Sequence, residues 1–498
     1  MKRIAIYLLA TVVLASCGKD FVTVKHNSSE PLDEYFINED RAFEALVAAY
    51  DPLNWFDYFY QYDQLQFVYD IMADDIYCGG SNEGDQPTLA KTHLYTITPT
   101  EESNTIWTIA YSGVNRACHV LERVDEVPGM SEETKTLYKA EATILKAWYY
   151  TVLWKLWGNI PYYDVNLTTP YIAEQLNHDD VYEHIVTKIE EAIEMNVLPM
   201  KRTSDIGRVT AAMAYMVYAE AVMYQNDSSR YARALGYMKE IIASGQYSLV
   251  ADFAGIWEET GEWGPESIWE INYFSEGAAR SWGAPIATGG AVYPVLLGPG
   301  YAQNQTYHTG WGFGPVAKSA YDMYDDGDIR KDGGILNWEK HVAETGEGTG
   351  SDVRWQDTGY WMKKWIAREG GNHGQIADAD MNYGNNVRVY RYAETLLNAA
   401  ELSVLTGGDG SSYLKEVRDR ANCKDTGTDR DAIIEERHKE FVGEGKRYWD
   451  LIRSGKAATV LTAANHEWRA VDWSENKKYW PLPQSEVDKD PNLVQNNY

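Results

Sequence analysis

Residues 251–384 hold 9 of the chain's 18 tryptophans and 23 of its 40 glycines. Glycine is unfavourable inside helices, so this quarter of the chain cannot be regular helix. Short strands are expected at 267–273 and 359–365, and long loops elsewhere. Long loops on a rigid base are a common way to build a binding face. The flanks read differently. Apolar residues recur at helical spacing from Glu39 onward, with Ala42, Leu46, Ala49 and Tyr50 on one face. A long helix is expected over 133–157, stopped by Gly158 and Pro161. Further helices are expected over 181–195, 209–224, 231–243, 387–405 and 412–421. Three fragments, KAEATIL at 139, YAEAVM at 218 and YAETLL at 392, share a local pattern. Helix-turn-helix units with alanine seams suggest TPR-like pairing, although a strict repeat is absent. The division is a helical region at 36–250 and a second region at 251–498 that carries the Gly/Trp-rich loops at 251–384.

Composition narrows the function. The 498 residues carry a formal charge of -29, which gives no general attraction to nucleic acid or anionic lipid. There are 18 Trp, 37 Tyr and 10 Phe, and Trp and Tyr join an apolar face to a polar edge. At the N-terminus, Lys2 and Arg3 precede an apolar run from Ile4 to Ala15, too short to span a bilayer as a helix. This reads as a secretory signal over 1–16. Leu14-Ala15-Ser16-Cys17 resembles the lipobox of bacterial lipoproteins, in which Cys17 becomes the lipidated N-terminus. A tether over 17–35 follows, and the membrane contact expected is the lipid anchor alone. Cleavage removes two basic residues and leaves a charge of -31. Cys78, Cys118 and Cys423 remain, and their spacing indicates neither a disulfide framework nor a CxxC metal site.

The segment ERHKEFVGEGKRYWDLIRSGKA at 436–457 is similar to the C-terminal signature of the SusD/RagB family. YWPLPQSEVDKDPNLVQNNY at 479–498 resembles that family's closing segment. KAEATILKAWYYTVLWKLWGNIPYY at 139–163 and VRVYRYAETLLNAAEL at 387–402 match in the same order. Departures are small: His438 stands where arginine is usual, and Asn497 precedes Tyr498 without the usual Pro-Gly. The resemblance implies a mainly α, SusD-like fold on four TPR-like pairs, with a loop-rich, small-strand ligand-binding region. It implies an outer-membrane lipoprotein facing the cell exterior, which binds glycans or sometimes peptides and caps a SusC-like TonB-dependent transporter. Glu436, Arg437, Glu440, Glu444, Arg447, Asp450 and Arg453 fall largely at spacings of three and four. They are expected to form a scaffold ladder of ion pairs along a helix.

No catalytic, metal or cofactor residue is assigned. GxSxG, HExxH and P-loop motifs are absent from the sequence. Carboxylates such as Glu258, Glu259 and Glu262, or Glu266 and Glu270, are numerous enough to pair by chance, which leaves a surface glycosidase as the weaker alternative. Asp378, Asp380 and Asn382 alternate as in a calcium loop, but Tyr383 and Val389 stand where glycine and glutamate are needed. Sugar recognition asks instead for flat rings against C–H faces and amide or carboxylate partners for hydroxyls. The candidates are Trp282, Tyr293, Tyr301 and Tyr307 in the loops, near Gln303, Asn304 and Gln305. The earlier segment adds Trp55, Tyr77 and Asn82, with Tyr58 and Tyr60 beside them. Packing competes with ligand contact for each ring. Trp148, Trp154, Trp157, Trp361 and Trp365 are read as packing, and Trp311 in GWGFGP as family scaffold. A peptide-binding protein of the same fold remains the runner-up.

Overall fold

The computed structural model describes residues 35–303 and 305–498. The signal segment, Cys17 and Asn304 lie outside the described residues, as does the tether except Tyr35.

Helices α1 (Glu39–Tyr50), α2 (Asn104–Arg123), α3 (Glu132–Trp157), α4 (His178–Glu194), α5 (Ala211–Gln225), α6 (Tyr231–Ala243), α7 (Tyr392–Leu405) and α8 (Ser411–Ala421) form a stack. Each packs on the next in chain order, which gives four helix-turn-helix pairs. Starts are set by local chemistry. The Asn177 side chain accepts from the backbone N–H groups of Asp179 and Asp180, and Ser131 accepts from Thr134. These bonds satisfy donors that a helix start leaves open. Gly158 ends α3 at φ 70°, as its sequence predicts. The alanines of α5 after Ala211 are buried, and its Tyr215 stacks on Tyr237 of α6 at 4.4 Å. α6 packs against α7 although the whole Gly/Trp-rich segment separates them in sequence. The boundary at 250 therefore divides the chain without dividing the helical layer.

Two findings differ from the sequence expectations. Helix α2 was not anticipated: Gly113 interrupts its pattern, and glycine counts against a helix. A Cβ on Gly113 would lie 2.3 Å from the Tyr149 ring of α3, so the glycine permits the close approach of α2 and α3. The segment 387–391, expected as helix, is a strand. Strands β1 (Ser267–Ile271), β2 (Ile335–Asn337), β3 (Tyr360–Met362) and β4 (Val387–Arg391) form two antiparallel pairs, β1 with β4 and β2 with β3. Both expected strands are present. The rest of the loop region consists of short helices, turns, a two-residue strand pair and isolated bridges.

The 436–457 signature forms α9 (Arg430–Phe441) and α10 (Arg447–Arg453), with its acidic and basic groups largely buried. The expected ladder along one helix is corrected: most partners come from other elements. Glu436 accepts from Arg330 at 2.6 Å and from Arg418 at 2.7 Å. Glu440 accepts from Arg330, Arg391 and Arg420, and Glu444 from Arg391 and Lys364. Arg453 donates to Glu401 of α7 and to Asp450. Buried charges must be paired, so this block clamps the loop region to the helices. No helix among the described residues is long and apolar enough to cross a membrane.

Candidate functional site

Five rings from three segments meet near the surface, with Tyr58 buried beneath the other four. Trp282 lies 5.9 Å from Trp311 with planes 31° apart. Tyr62 stands edge-on to Trp311 at 5.8 Å, and Tyr58 edge-on to Trp282 at 5.3 Å. Tyr58 and Tyr62 are 5.1 Å apart, with Tyr60 6.4 Å from Tyr58. Trp282 is 38% exposed and Tyr60 58%, while Tyr62 and Trp311 are half-buried. Trp55 is buried and stacked on Phe59 at 5.5 Å, which lies 5.4 Å from Tyr60, and the Arg116 guanidinium is 4.7 Å from the Trp55 ring.

A buried ion pair holds the segments together. Asp57 accepts from Arg280 at 2.6 Å and from the backbone N–H groups of Val292 and Tyr293, each at 2.8 Å. Arg280 also donates to the carbonyls of Pro285, Gly290 and Tyr58. Burial raises the Asp57 carboxyl, while Arg280 and the two backbone donors pull it back. A buried charge pair with its hydrogen bonds satisfied favours one geometry, so the rings are arranged in advance of any ligand. The calcium-like string has a part in this. Asp378 accepts from the Trp282 backbone N–H at 3.1 Å. The Asn382 amide donates to the carbonyls of Arg280 and Asp378 and accepts from Gly290 N–H.

Polar groups border the rings. Asn82 is exposed, on a turn where it accepts from Gly84 N–H, and Asp85 accepts from the Ser81 N–H and hydroxyl. Burial, followed by Tyr58, Asp85 and Asp57, pushes the Tyr62 phenol up to about 12. It therefore remains a hydrogen-bond donor at neutral pH.

The seven sequence candidates separate. Trp282 belongs to the surface group, Trp55 joins it through Phe59 and Asn82 borders it. Tyr293 is corrected to core: it is 1% exposed, because Asp57 draws its N–H into the interior. Tyr77 is likewise buried, packed edge-on to His93 and His466. Tyr301 lines a separate cavity of about 400 Å³ with Trp338 and Tyr360, and donates to Asp357 at 3.3 Å. Tyr307 is buried beneath Arg368, whose guanidinium lies 5.1 Å from its ring. Trp311 and Tyr62 were not in the sequence set. The alternation of Tyr58, Tyr60 and Tyr62 carried a signal for one of them.

Other ionisable groups are committed elsewhere. Glu266 pairs with Arg391 and Arg420, and Glu270 accepts from Trp263 N–H and Asn386, so these two do not face each other across a cleft. Burial pushes the Glu262 carboxyl up to about 7. Asp74, Asp75 and His438 converge closely enough to hold a cation, as do Cys423, Asp425 and Glu436. Arg447 donates to Asp74, and Arg330 and Arg418 to Glu436, so nearby cationic side chains already neutralise both groups.

A family model described as "SusD family" matches residues 337–498, and one described as "Starch-binding associating with outer membrane" matches 27–220. The fold is similar to that of surface glycan-binding protein A from Bacteroides thetaiotaomicron in complex with laminarihexaose. The TM-score is 0.87 at 44% identity, covering 93% of this chain and 100% of that one. A laminarin binding SusD-like protein gives a TM-score of 0.82 at 28% identity, covering 92% and 99%. SusD-like protein P38 of Formosa agariphila is 25% identical over 98% of this chain and 97% of its own length. Agreement in fold and sequence over nearly the whole chain shows that this protein belongs to the SusD-like family.

Proposed function

We propose that the protein is a non-catalytic, cell-surface binder of β-1,3-linked glucan of the laminarin class, and that it delivers oligosaccharides to a SusC-like transporter. The observation that carries this is the ring group of Trp282, Trp311, Tyr62 and Tyr58, locked by Asp57–Arg280, in a chain 44% identical to one solved with laminarihexaose. Stacking of sugar C–H faces on aromatic rings uses contact area that costs little side-chain entropy. The rings are not coplanar: Tyr62 stands at 76° to both tryptophans. Such a set suits a chain whose sugar faces turn, as β-1,3 linkages make them, better than a flat ribbon. Lipidation at Cys17 would keep the site at the membrane surface while the acidic body stays in water. The net charge of -29 opposes polyanionic glycans, and Arg280, buried and fully engaged, is not available to attract one.

Isothermal titration of the protein against laminarin, amylose, pectin and unstructured peptides tests the reading. Laminarin is expected to bind most tightly. Silence toward every glycan together with tight peptide binding would defeat it, and release of shortened sugars from laminarin would defeat the non-catalytic part.

A further inference from the structure

Two tryptophans are exposed among the described residues, Trp282 and Trp468. Each leans on a half-buried tryptophan. Trp282 packs on Trp311, and Trp468, 39% exposed, stands edge-on to Trp355 at 6.4 Å. The two half-buried rings lie on segments joined through a single residue. Gly80 N–H donates to Gly312 O at 2.8 Å, next to Trp311, and Gly80 O accepts from Trp355 N–H at 2.9 Å. Glycine is needed at this neck. Gly80 and Gly312 have φ of 88° and 83°, and a Cβ would meet Phe313 at 2.6 Å from the first and Arg354 at 2.5 Å from the second. The Trp311 and Trp355 segments also touch directly, through Gly312 and the Arg354 side chain.

The neck between the two aromatic pairs is polar. It carries exposed Asn82 and half-buried Asp85 and Arg354, the last paired with Asp352 at 2.6 Å. Rings at either end and hydroxyl partners between them are what a sugar chain longer than one platform requires. Trp468 keeps part of its ring in water beside Trp355.

We infer that Trp355 and Trp468 form a second sugar-stacking station, so that the glycan-binding face runs from Trp282 across the 80–86 loop to Trp468 and engages long chains at both ends. The inference rests on the glycan reading above and adds chain-length selectivity to it. Two linked stations raise affinity for a ligand long enough to reach both, and give nothing to a short one.

The test titrates laminaritriose, laminarihexaose and laminarin against the unaltered protein and the variants W468A, W468F and W282A, with the melting temperature of each as a check on folding. W468A is expected to weaken laminarin by about tenfold, the usual order for removing a stacked tryptophan, and to leave laminaritriose within about twofold. W468F should recover most of the loss, and W282A should weaken all three ligands. Laminarin binding unchanged in W468A, or an equal loss for triose and polymer, overturns the second station while leaving the first intact. Failure of the unaltered protein to bind any of the three removes both.

Discussion

His438 shows how one side chain is set by its surroundings. It lies on α9, and its Nε2–H donates to Asp75 at 2.7 Å, with Glu435 3.7 Å from Nδ1. Burial works against its charge and is the largest single effect. Asp75 and Glu435 outweigh burial and the opposing Arg447, and lift the imidazole to about 9. A histidine raised in the folded state contributes stability that is complete below its ordinary value of 6.5 and fades as the pH rises through about 9. His438→Gln should therefore lower the denaturation midpoint at pH 6, with the gap closing by about pH 10. A gap that is constant with pH would mean that His438 acts through shape and not charge. Single-residue roles were only partly legible in the sequence. Trp282 and Tyr293 fall in the same glycine-rich segment, and the apolar run around Tyr293, which forms a short helix at Tyr293–Leu296, is the local sign that sets them apart. Tertiary contacts fix the difference: Asp378 holds the Trp282 backbone at the surface, whereas Asp57 holds that of Tyr293 inside.

At the scale of elements, periodicity located most helices because their packing faces are wide and apolar. It failed where one residue served a neighbour instead of its own helix. Gly113 weakens α2 by itself and is explained only by the Tyr149 ring of α3 against it. Gly113→Ala forces that ring or the helix to move, and overpacking of this kind costs about 1–3 kcal/mol. Urea denaturation of the variant checks it; unchanged or raised stability would show that α2 and α3 have slack. The stretch 387–391 has the reverse history. VRVYR suits a helix or a strand, and pairing with β1 decides the matter. The three similar fragments also gained a physical meaning. Glu141, Glu220 and Glu394, at matching places in them, are all ion-paired, the first and last buried and Glu220 half-buried: to Arg202 and Arg208, to Lys155, and to Lys446. The repeat marks where three of the four helical units receive a cation from another part of the fold.

The whole molecule is a helical stack that carries an irregular loop layer, joined by the buried charges of α9 and α10. Composition pointed to such a division, since glycine and tryptophan crowd into one quarter of the sequence. Sequence did not show that α6 and α7 meet across that quarter, because contact between distant segments leaves no periodic trace. Nor did it show that residues 55–62, 280–293 and 311 close into one ring group, since the Asp57–Arg280 link spans 223 positions. Glycan binding requires that group to be a ligand surface and not merely a solvated patch of core. Calorimetric titration of laminarihexaose into the unaltered protein and into Trp282→Ala tests this most directly. Affinity is expected to fall by about tenfold or more in the variant, with the melting temperature unchanged. Equal affinity of the two proteins for laminarihexaose would contradict the account.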